Sequence, residues 1–565
     1  LTTVYLLFLL SIALPSIAMA TDVDGQIWTN TTWAQSDSPY YITGDVQIPS
    51  GVTLTIEPGV EIRYTGGYEL LVQGVLIANG TAESPIVFTS TTPGTSSGAT
   101  MLKFEGSDLD QIQINHVQMR YADKAIRIGD ESEHNQGGKN TGTLTVSNIE
   151  IESANVLTDG YDTTAKLLLQ HVTLNRVEVK GNYPRSEPIE IDGGTITAST
   201  IFSDSYNKGV TLKSITVTDS ILKIGCCGGN FKLIDSTIQN SNIVEGGGSP
   251  VTGPLEISNS KLNNSPINLP AANIVINSSA ISYDSGIAVK FGNGVIDHST
   301  ITGRGDGVGL EVTGLNGYNI GGSVTVSDSV ISNNAVGIKI NNANSVVIEN
   351  TSFTANSSYN IENLSENEIA ATANYWGTTD TAVIAEKIYD AVDDISYGGV
   401  NSEGALSTPS ASSAVLPPKW VLKEESDEGV QLSWLENLEP NIAGYKVHYG
   451  APTGYSYGNS IDIGNVTSYN LAGASVSDEI SVTAYDTAGY ESWYSISSPP
   501  VPVATLTPLL LDFGVVAVGE ERDQTFNIEN TGTGNLSVSS ILLSGGDFSI
   551  SPSNFTVSPG NSETV

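Results

Sequence analysis

A pattern of eight residues recurs through the middle of the chain: apolar, any, apolar, any, an Asx-like residue, Ser or Thr, any, apolar. It reads ITVTDSIL ending at Leu222, FKLIDSTI at Ile238, LEISNSKL at Leu262 and IVINSSAI at Ile281. It continues as GVIDHSTI at Ile301, VTVSDSVI at Ile331 and VVIENTSF at Phe353, with looser copies LTVSNIEI at Ile151 and LLLQHVTL at Leu174. The strict copies end 16 to 30 residues apart, an irregular period of the solenoid kind. Each run alternates with period two and is therefore a short strand with one apolar face. A single coil cannot bury that face, but stacked coils can, each strand gaining a parallel neighbour above and below. The pattern predicts an all-β chain built around a parallel β-helix. Equivalent positions should then form columns. One expected column is Ser220, Ser236, Ser260, Ser279, Ser299, Ser329 and Thr351. The column before it is Asp219, Asp235, Asn259, Ser278, His298, Asp328 and Asn350. Hydroxyls and amides can bond along such stacks, and Asx residues tolerate left-handed backbone. Both columns, His298 included, read as structural.

The beginning is turn-rich: IPSGVTLTIEPGVEIRYTGGYELLVQGVLIANGTAESPIVFTS places strands of about four to six residues between PSG, EPG, TGG and NGT turns. This stretch, and YADKAIRI at Tyr121–Ile128, resembles the coils of secreted right-handed β-helix repeat proteins. The resemblance covers roughly Asp24 to Leu406 and implies a right-handed parallel β-helix over residues 21–406. In that family an N-x-W-G segment often closes the solenoid. Asn374, Trp376 and Gly377 match it, which puts a C-terminal cap near 374–395. Thr379 or Asp380 can cap a short helix there, with Ile384 and Ile388 on one face. Trp376 is expected to cover the last coil rather than serve as a sugar platform.

Residues 407–416 fall in STPSASSAVLPP, a linker by composition. Residues 417–500 resemble a fibronectin type III domain, with Trp434 on the second strand, Tyr445 on the third, VTAYDTAG on the sixth, and Ile480 where many such domains carry Tyr. Residues 501–565 resemble the Ig-like domains named for ASPM, SPD-2 and hydin, through LDFG at Leu511–Gly514, VGE and NIENTGTGNL. That last module is expected to be incomplete at Val565.

The N-terminal run LTTVYLLFLLSIALPSIAMA has the apolar stretch and A-x-A site of a secretory signal, so residues 1–20 are expected to be removed and the protein to be secreted or held at the cell surface. No later stretch is apolar enough to span a bilayer. The net charge is −38, from 61 acidic and 23 basic residues, which argues against nucleic acid as a partner and favours cations, Ca²⁺ among them. The few Lys and Arg show no gathering along the chain. The only cysteines, Cys226 and Cys227, are adjacent, and either a vicinal disulfide or two buried thiols fits.

No hydrolase, zincin or phosphate-loop motif is present. The best local candidate for ligand binding is GNYPRSEPIEIDGG. With Ile189 and Ile191 inward, Glu190 and Asp192 share the outer face about 6.5–7 Å apart. Tyr183 and Arg185 lie on the preceding turn, and Glu190 with Asp192 is the candidate calcium pair. A second charged group is Asp108, Asp110 and Asp123 with Arg120 and Lys124. The resulting expectation is a non-catalytic exported scaffold or adhesin with glycan or extracellular polysaccharide as partner. The alternative, implied by the fold family alone, is a polysaccharide lyase or glycoside hydrolase.

Overall fold

The computed structural model describes residues 21–565 except 93, 130–138, 159–164, 182–187, 204–208, 226–229, 247–253, 284, 315–320, 420, 451–456, 496–501, 518, 532–535, 544–547 and 559. The signal segment, Tyr183, Arg185, Cys226 and Cys227 lie outside the described residues. The chain is nearly all β. Among the described residues thirty-eight strands pair in parallel as a β-solenoid of about 14 turns, and small antiparallel sheets follow. Contacts divide it into two units, Leu1–Val275 with Val289–Gly294 and Thr313–Gly321, and Ile276–Ala288 with Val295–Val312 and Gly322–Val565.

In the first unit the coils from His116 onward each turn at two sharp corners. One coil runs Phe231–Ile234, turns at Asp235, runs Thr237–Gln239, turns at Asn240 and runs Asn242–Glu245. Ile191, Leu212, Leu233 and Ile257 stack inward from successive coils, each almost wholly buried. Adding about 25 cal/mol per Å² of apolar surface, this stack is what holds coil on coil. All seven residues of the predicted pre-serine column have left-handed φ, from 46° at His298 to 50° at Asp235 and Asn350.

The serine after each left-handed residue solves a specific problem. The corner turns its N–H inward, away from the sheet ladder, where it needs a partner. Ser199 N–H donates to Ser220 Oγ in the next coil (3.0 Å), and Ser220 Oγ donates to Thr218 C=O (2.6 Å). One hydroxyl thus serves two backbone groups. The structure corrects one assignment here. Ser220 and Asp219 belong to the second corner, in a column with Ser199, Ser241 and Ser265. Ser236 and Ser260 belong to the first. Both corners use the same left-handed-residue-then-serine solution, so the eight-residue pattern matches either.

In the second unit the first-corner column continues: Ser279 N–H to Ser299 Oγ and Ser299 N–H to Ser329 Oγ, both 3.1 Å. It ends at Asn374, fully buried, whose Oδ1 accepts from Thr351 N–H and whose Nδ2 donates to Ile348 C=O, both 2.8 Å. Trp376 is 7% exposed and stacks on Phe353 at 4.8 Å and 12°, and Gly377 follows with a φ of 81°. Asp380 caps the helix Thr381–Ala385 by accepting from Ala382 N–H. The helix ends before Ile388, which instead pairs in parallel with Ile361. The Lys387 ammonium closes the second corner by donating to the carbonyls of Asn356, Ser357 and Ser358 (3.0–3.4 Å).

Residues 410–416, linker-like in composition, lie along the outside of this unit's coils as a strap. Ala414 N–H donates to Asp328 C=O (2.8 Å), Ser412 Oγ bonds the Asp328 carboxylate, and His298 Nδ1 donates to Ser412 C=O (2.8 Å). Ala414 and Leu416 are buried with Val330 and Tyr375. Beyond the strap, strands Leu422–Ser426, Gly429–Ser433 and Ser468–Ala472 form one antiparallel sheet, and Ile442–Tyr449, Asn459–Gly464 and Ser481–Asp486 form another. Trp434, Tyr445, Val447, Ile480 and Val482 are in the core of this module. The last module pairs Ala504–Thr507, Asn527–Asn530 and Ser562–Thr564, with Leu536–Val538 against Phe555–Val557.

Candidate functional site

The outer face of the first unit carries a row set by the strand just before the first corner. Asn79, Asn115, Ser147, Gln170, Asp192 and Lys213 are register partners in successive coils. Each side chain points out because its neighbours on the strand point in. Around Asn115, Ile114 and Val117 are buried. Around Gln170, Leu169 and Val172 are. The left-handed residues His116, Asn148 and His171 bend the chain immediately afterwards, with φ of 48°, 51° and 50°.

Between these rows and the parallel row of Gln113 and Thr145 lies a groove of about 480 Å³. Its walls are Asn79, Gln113, Asn115, Thr145, Ser147, Asn148, Gln170 and His171, over a floor that includes Ile112 and Ile114. The amides bond along the stack: Asn79 Nδ2 donates to Gln113 Oε1 (2.8 Å), Asn148 Nδ2 to Asn115 Oδ1 (2.9 Å), and Ser147 Oγ to Gln170 Oε1 (3.1 Å). These bonds fix side chains that would otherwise sample several rotamers. Each amide has more hydrogen-bonding groups than its ladder bond uses. The groove therefore presents donors and acceptors at intervals of about 4.8 Å, the strand spacing of a sheet. His171 is the only titratable side chain lining it among the described residues.

Glu190 and Asp192 adjoin this groove one coil on. Ile189 and Ile191 are fully buried, so both carboxylates face out, as the alternation predicts. Gly194 follows with a φ of 108°, and a Cβ there would lie 2.0 Å from Val172 C=O, so only glycine fits. Asp192 Oδ2 lies 3.5 Å from Lys213 Nζ. Calcium takes six to eight oxygens. Here the described residues offer two carboxylates with an ammonium beside one of them, and no group of three His, Cys, Asp or Glu among the described residues could hold a metal. The second charged group is not brought together. Asp108 accepts from Gln111, Asp110 from Thr143 N–H, Asp123 pairs with Lys124, and Arg120 with Glu150. The sequence did carry a signal for the groove: its Ser147-Asn148 and Gln170-His171 sit in the two looser copies of the repeat.

Residues 25–100 match the family model of a pectate-lyase-like β-helix domain, and this part of the chain is such a domain. Residues 502–565 match the HYDIN/CFA65/VesB-like Ig-like domain and form a module of that kind. The chain is 38% identical over 63 residues to Protein bark beetle of Drosophila melanogaster; the match covers 11% of this chain and 2% of that protein's length. Among solved structures, a mutant tailspike protein of E. coli bacteriophage HK620 in complex with a hexasaccharide aligns at 12% identity over 84% of this chain and 85% of its own, with a TM-score of 0.20. The pentasaccharide complex aligns at 10% identity over 82% and 86%, with a TM-score of 0.18. At those scores neither superposition carries an argument about this chain. Among the described residues no helix is long and apolar enough to cross a membrane.

Proposed function

We propose that this chain is an exported or cell-surface scaffold that binds glycan along the amide-lined groove of its solenoid, with residues 417–500 a fibronectin type III-type spacer. The observation that carries the reading is the row of Asn, Gln, Ser and His side chains held in place by bonds to one another. Amides and hydroxyls at sheet spacing are suited to sugar hydroxyls, which both donate and accept. The reading is binding rather than cleavage because a hydrolase needs a pair of carboxylates across the bond and a lyase needs a base with cations beside it. The groove's described lining is amide, hydroxyl, imidazole and aliphatic.

The test is affinity for neutral oligosaccharides in the whole chain and in Asn115→Ala/Gln170→Ala. Loss of two hydrogen-bonding side chains should weaken binding about tenfold. Release of reducing ends or unsaturated products, abolished by His171→Ala, would replace this reading with the enzymatic one.

A further inference from the structure

Three tyrosines stand together on the last coils of the solenoid. Tyr359 and Tyr389 belong to the strands Tyr359–Asn363 and Ile388–Tyr389, which pair in parallel through Ile361 with Ile388 and Glu362 with Tyr389. Tyr397 comes from the turn that follows. The Tyr389 ring centroid lies 5.6 Å from that of Tyr359 and 6.2 Å from that of Tyr397, with the planes inclined at 57° and 55°. All three side chains are partly exposed. Aromatic neighbours help to hold a sheet together, but that alone does not account for what surrounds these rings.

The turn that brings in Tyr397 is tightly built. Asp390 is 7% exposed and clamps it: Oδ1 accepts from Val392 N–H (2.9 Å) and Oδ2 from Val400 N–H (2.7 Å). Asp393 and Asp394 N–H donate to Asp390 C=O, Tyr397 N–H to Asp394 C=O, and Gly398 N–H to Ser365 C=O in the previous coil. A Cβ on Gly398 would lie 2.0 Å from Asn367 C=O, so glycine is needed for this approach. The same turn leaves Val392 and Ile395 almost wholly exposed, at 92 and 95%, next in sequence to Asp393 and Asp394. Both carboxylates reach the middle ring: burial first, then the charges of Asp394 and Asp393 with the neighbouring tyrosines, raises the Tyr389 hydroxyl above its ordinary 10. Ser396 N–H and hydroxyl hold Asp394 below the usual carboxylate range, so it stays charged. Among the described residues no Lys or Arg pairs with Asp393 or Asp394.

Ring faces attract a cation within about 6 Å of their centroids, and a carboxylate nearby adds to that attraction. Rings inclined at 55–57° offer no common flat platform for a chain of sugars, but they can wall two sides of a compact group. Exposed aliphatic side chains suit methyl groups better than N–H donors, which need acceptors converging on them. We propose that Tyr359, Tyr389 and Tyr397, with Asp393 and Asp394, bind a methylated ammonium compound of the choline type that carries no anion of its own. A phosphate on the ligand would face the two carboxylates. The proposal goes beyond the glycan groove, with which it shares no residue, and does not depend on it.

The experiment is saturation-transfer NMR titration of the whole chain with choline, read on the ligand's methyl protons at two salt concentrations. Comparators are 3,3-dimethylbutan-1-ol, which has the shape of choline without the charge, then glucose, phosphocholine and phosphatidylcholine vesicles. Choline should bind, about fivefold to tenfold more tightly than the uncharged alcohol. Tyr389→Leu should weaken it about tenfold, whereas Tyr389→Phe, which keeps the ring, should bind like the natural chain. Asp393→Asn/Asp394→Asn should weaken binding about threefold or more and flatten its salt dependence. Those amides can still accept from Asp390 and Ser396 N–H, so the turn is preserved. Tyr41→Leu, in the first unit, should change nothing. If Tyr389→Leu does not fold, Tyr397→Leu must show the loss. No choline binding, the alcohol or glucose bound as well as choline, or binding untouched by the leucine variants would each overturn the proposal. Phosphocholine or the vesicles bound more tightly than choline would assign the site to a lipid headgroup and overturn it too. Asn115→Ala/Gln170→Ala separates the two sites: choline binding should survive it.

Discussion

Replacing Asn374 tests how the solenoid is closed. In earlier coils a serine sits at this corner, its Oγ accepting from the N–H of the coil before and donating to a carbonyl of its own coil. At the last coil the longer amide of Asn374 bonds both Thr351 N–H and Ile348 C=O at 2.8 Å, with no exposed surface. Asn374→Ala leaves a buried donor and a buried acceptor unpaired, at about 1–3 kcal/mol each, so a loss of about 2–6 kcal/mol is expected. Asn374→Ser should lose only about 1–3 kcal/mol, because serine can still accept from Thr351 N–H and leaves the Ile348 carbonyl alone unpaired. Urea unfolding gives the total. Hydrogen exchange gives its location, because coils of a solenoid contact mainly their neighbours and the last one can open by itself. The expected result is fast exchange at Thr351 and its coil, with coils of the first unit unchanged. An alanine variant with an unfolding midpoint and Thr351 exchange like those of the natural chain would refute the reasoning, as would a serine variant as unstable as the alanine one.

The Phe353–Trp376 stack should make Trp376→Ala cost about 3–5 kcal/mol in the same assay. Trp376→Phe should cost much less, because the indole N–H is buried without a hydrogen-bond partner and its removal offsets the lost contact. Leu416→Ala should cost about 2–3 kcal/mol, as the strap side chain that buries Val330 and Tyr375 is cut back. Glu439 should give a pH signature. Burial raises its pKa above the ordinary 4.5, against the lowering effect of its bonds from Leu416 N–H and Asn437 and of Lys419. The folded form then holds this proton more tightly than the unfolded one. The group's stabilising contribution is complete below about pH 4.5 and is lost as pH rises through the raised value. Lys419, lowered by burial, contributes in the opposite sense: its contribution is complete above the ordinary 10.5 and is lost as pH falls through the lowered value. Calorimetric melting from pH 4 to 8 should show Glu439→Gln flattening that dependence, and an unchanged slope would count against it.

The coil architecture was legible because it rests on local rules. Period-two alternation told which side chains point inward, and the inward set, from Ile42 to Ile361, is nearly all fully buried. The left-handed corners were legible because Asp, Asn, Ser and His tolerate that backbone. Glu190 and Asp192 were correctly read as outward for the same reason. The end of the cap helix was less legible: the four-residue spacing of Ile384 and Ile388 suits a helical face, but Ile388 gains a parallel partner in Ile361 by leaving the helix.

What stayed hidden was adjacency between coils. Alternation says that a residue faces out, not which outward residues stand together, because turns of different length separate the coils. Lys180 and Lys223 are 43 residues apart (223 − 180) yet only two rungs apart. The corners supply the missing ruler. Counting from the left-handed residue of the second corner, the fourth position is Leu157 after Ser153, Lys180 after Arg176, Phe202 after Ala198, Lys223 after Asp219 and Val244 after Asn240. Arg127, which pairs with Leu157, stands two positions beyond this count from Tyr121, one of them from the register shift between Lys124 and Ile126. Counting one back from the first corner gives Asn115, Ser147, Gln170, Asp192 and Lys213, the groove row and its continuation. Both surface rows are therefore written in the chain as fixed offsets from corner residues. They become readable only once the two corners are told apart, and the distinction comes from pairing such as Thr216 with Thr237, not from the repeat itself.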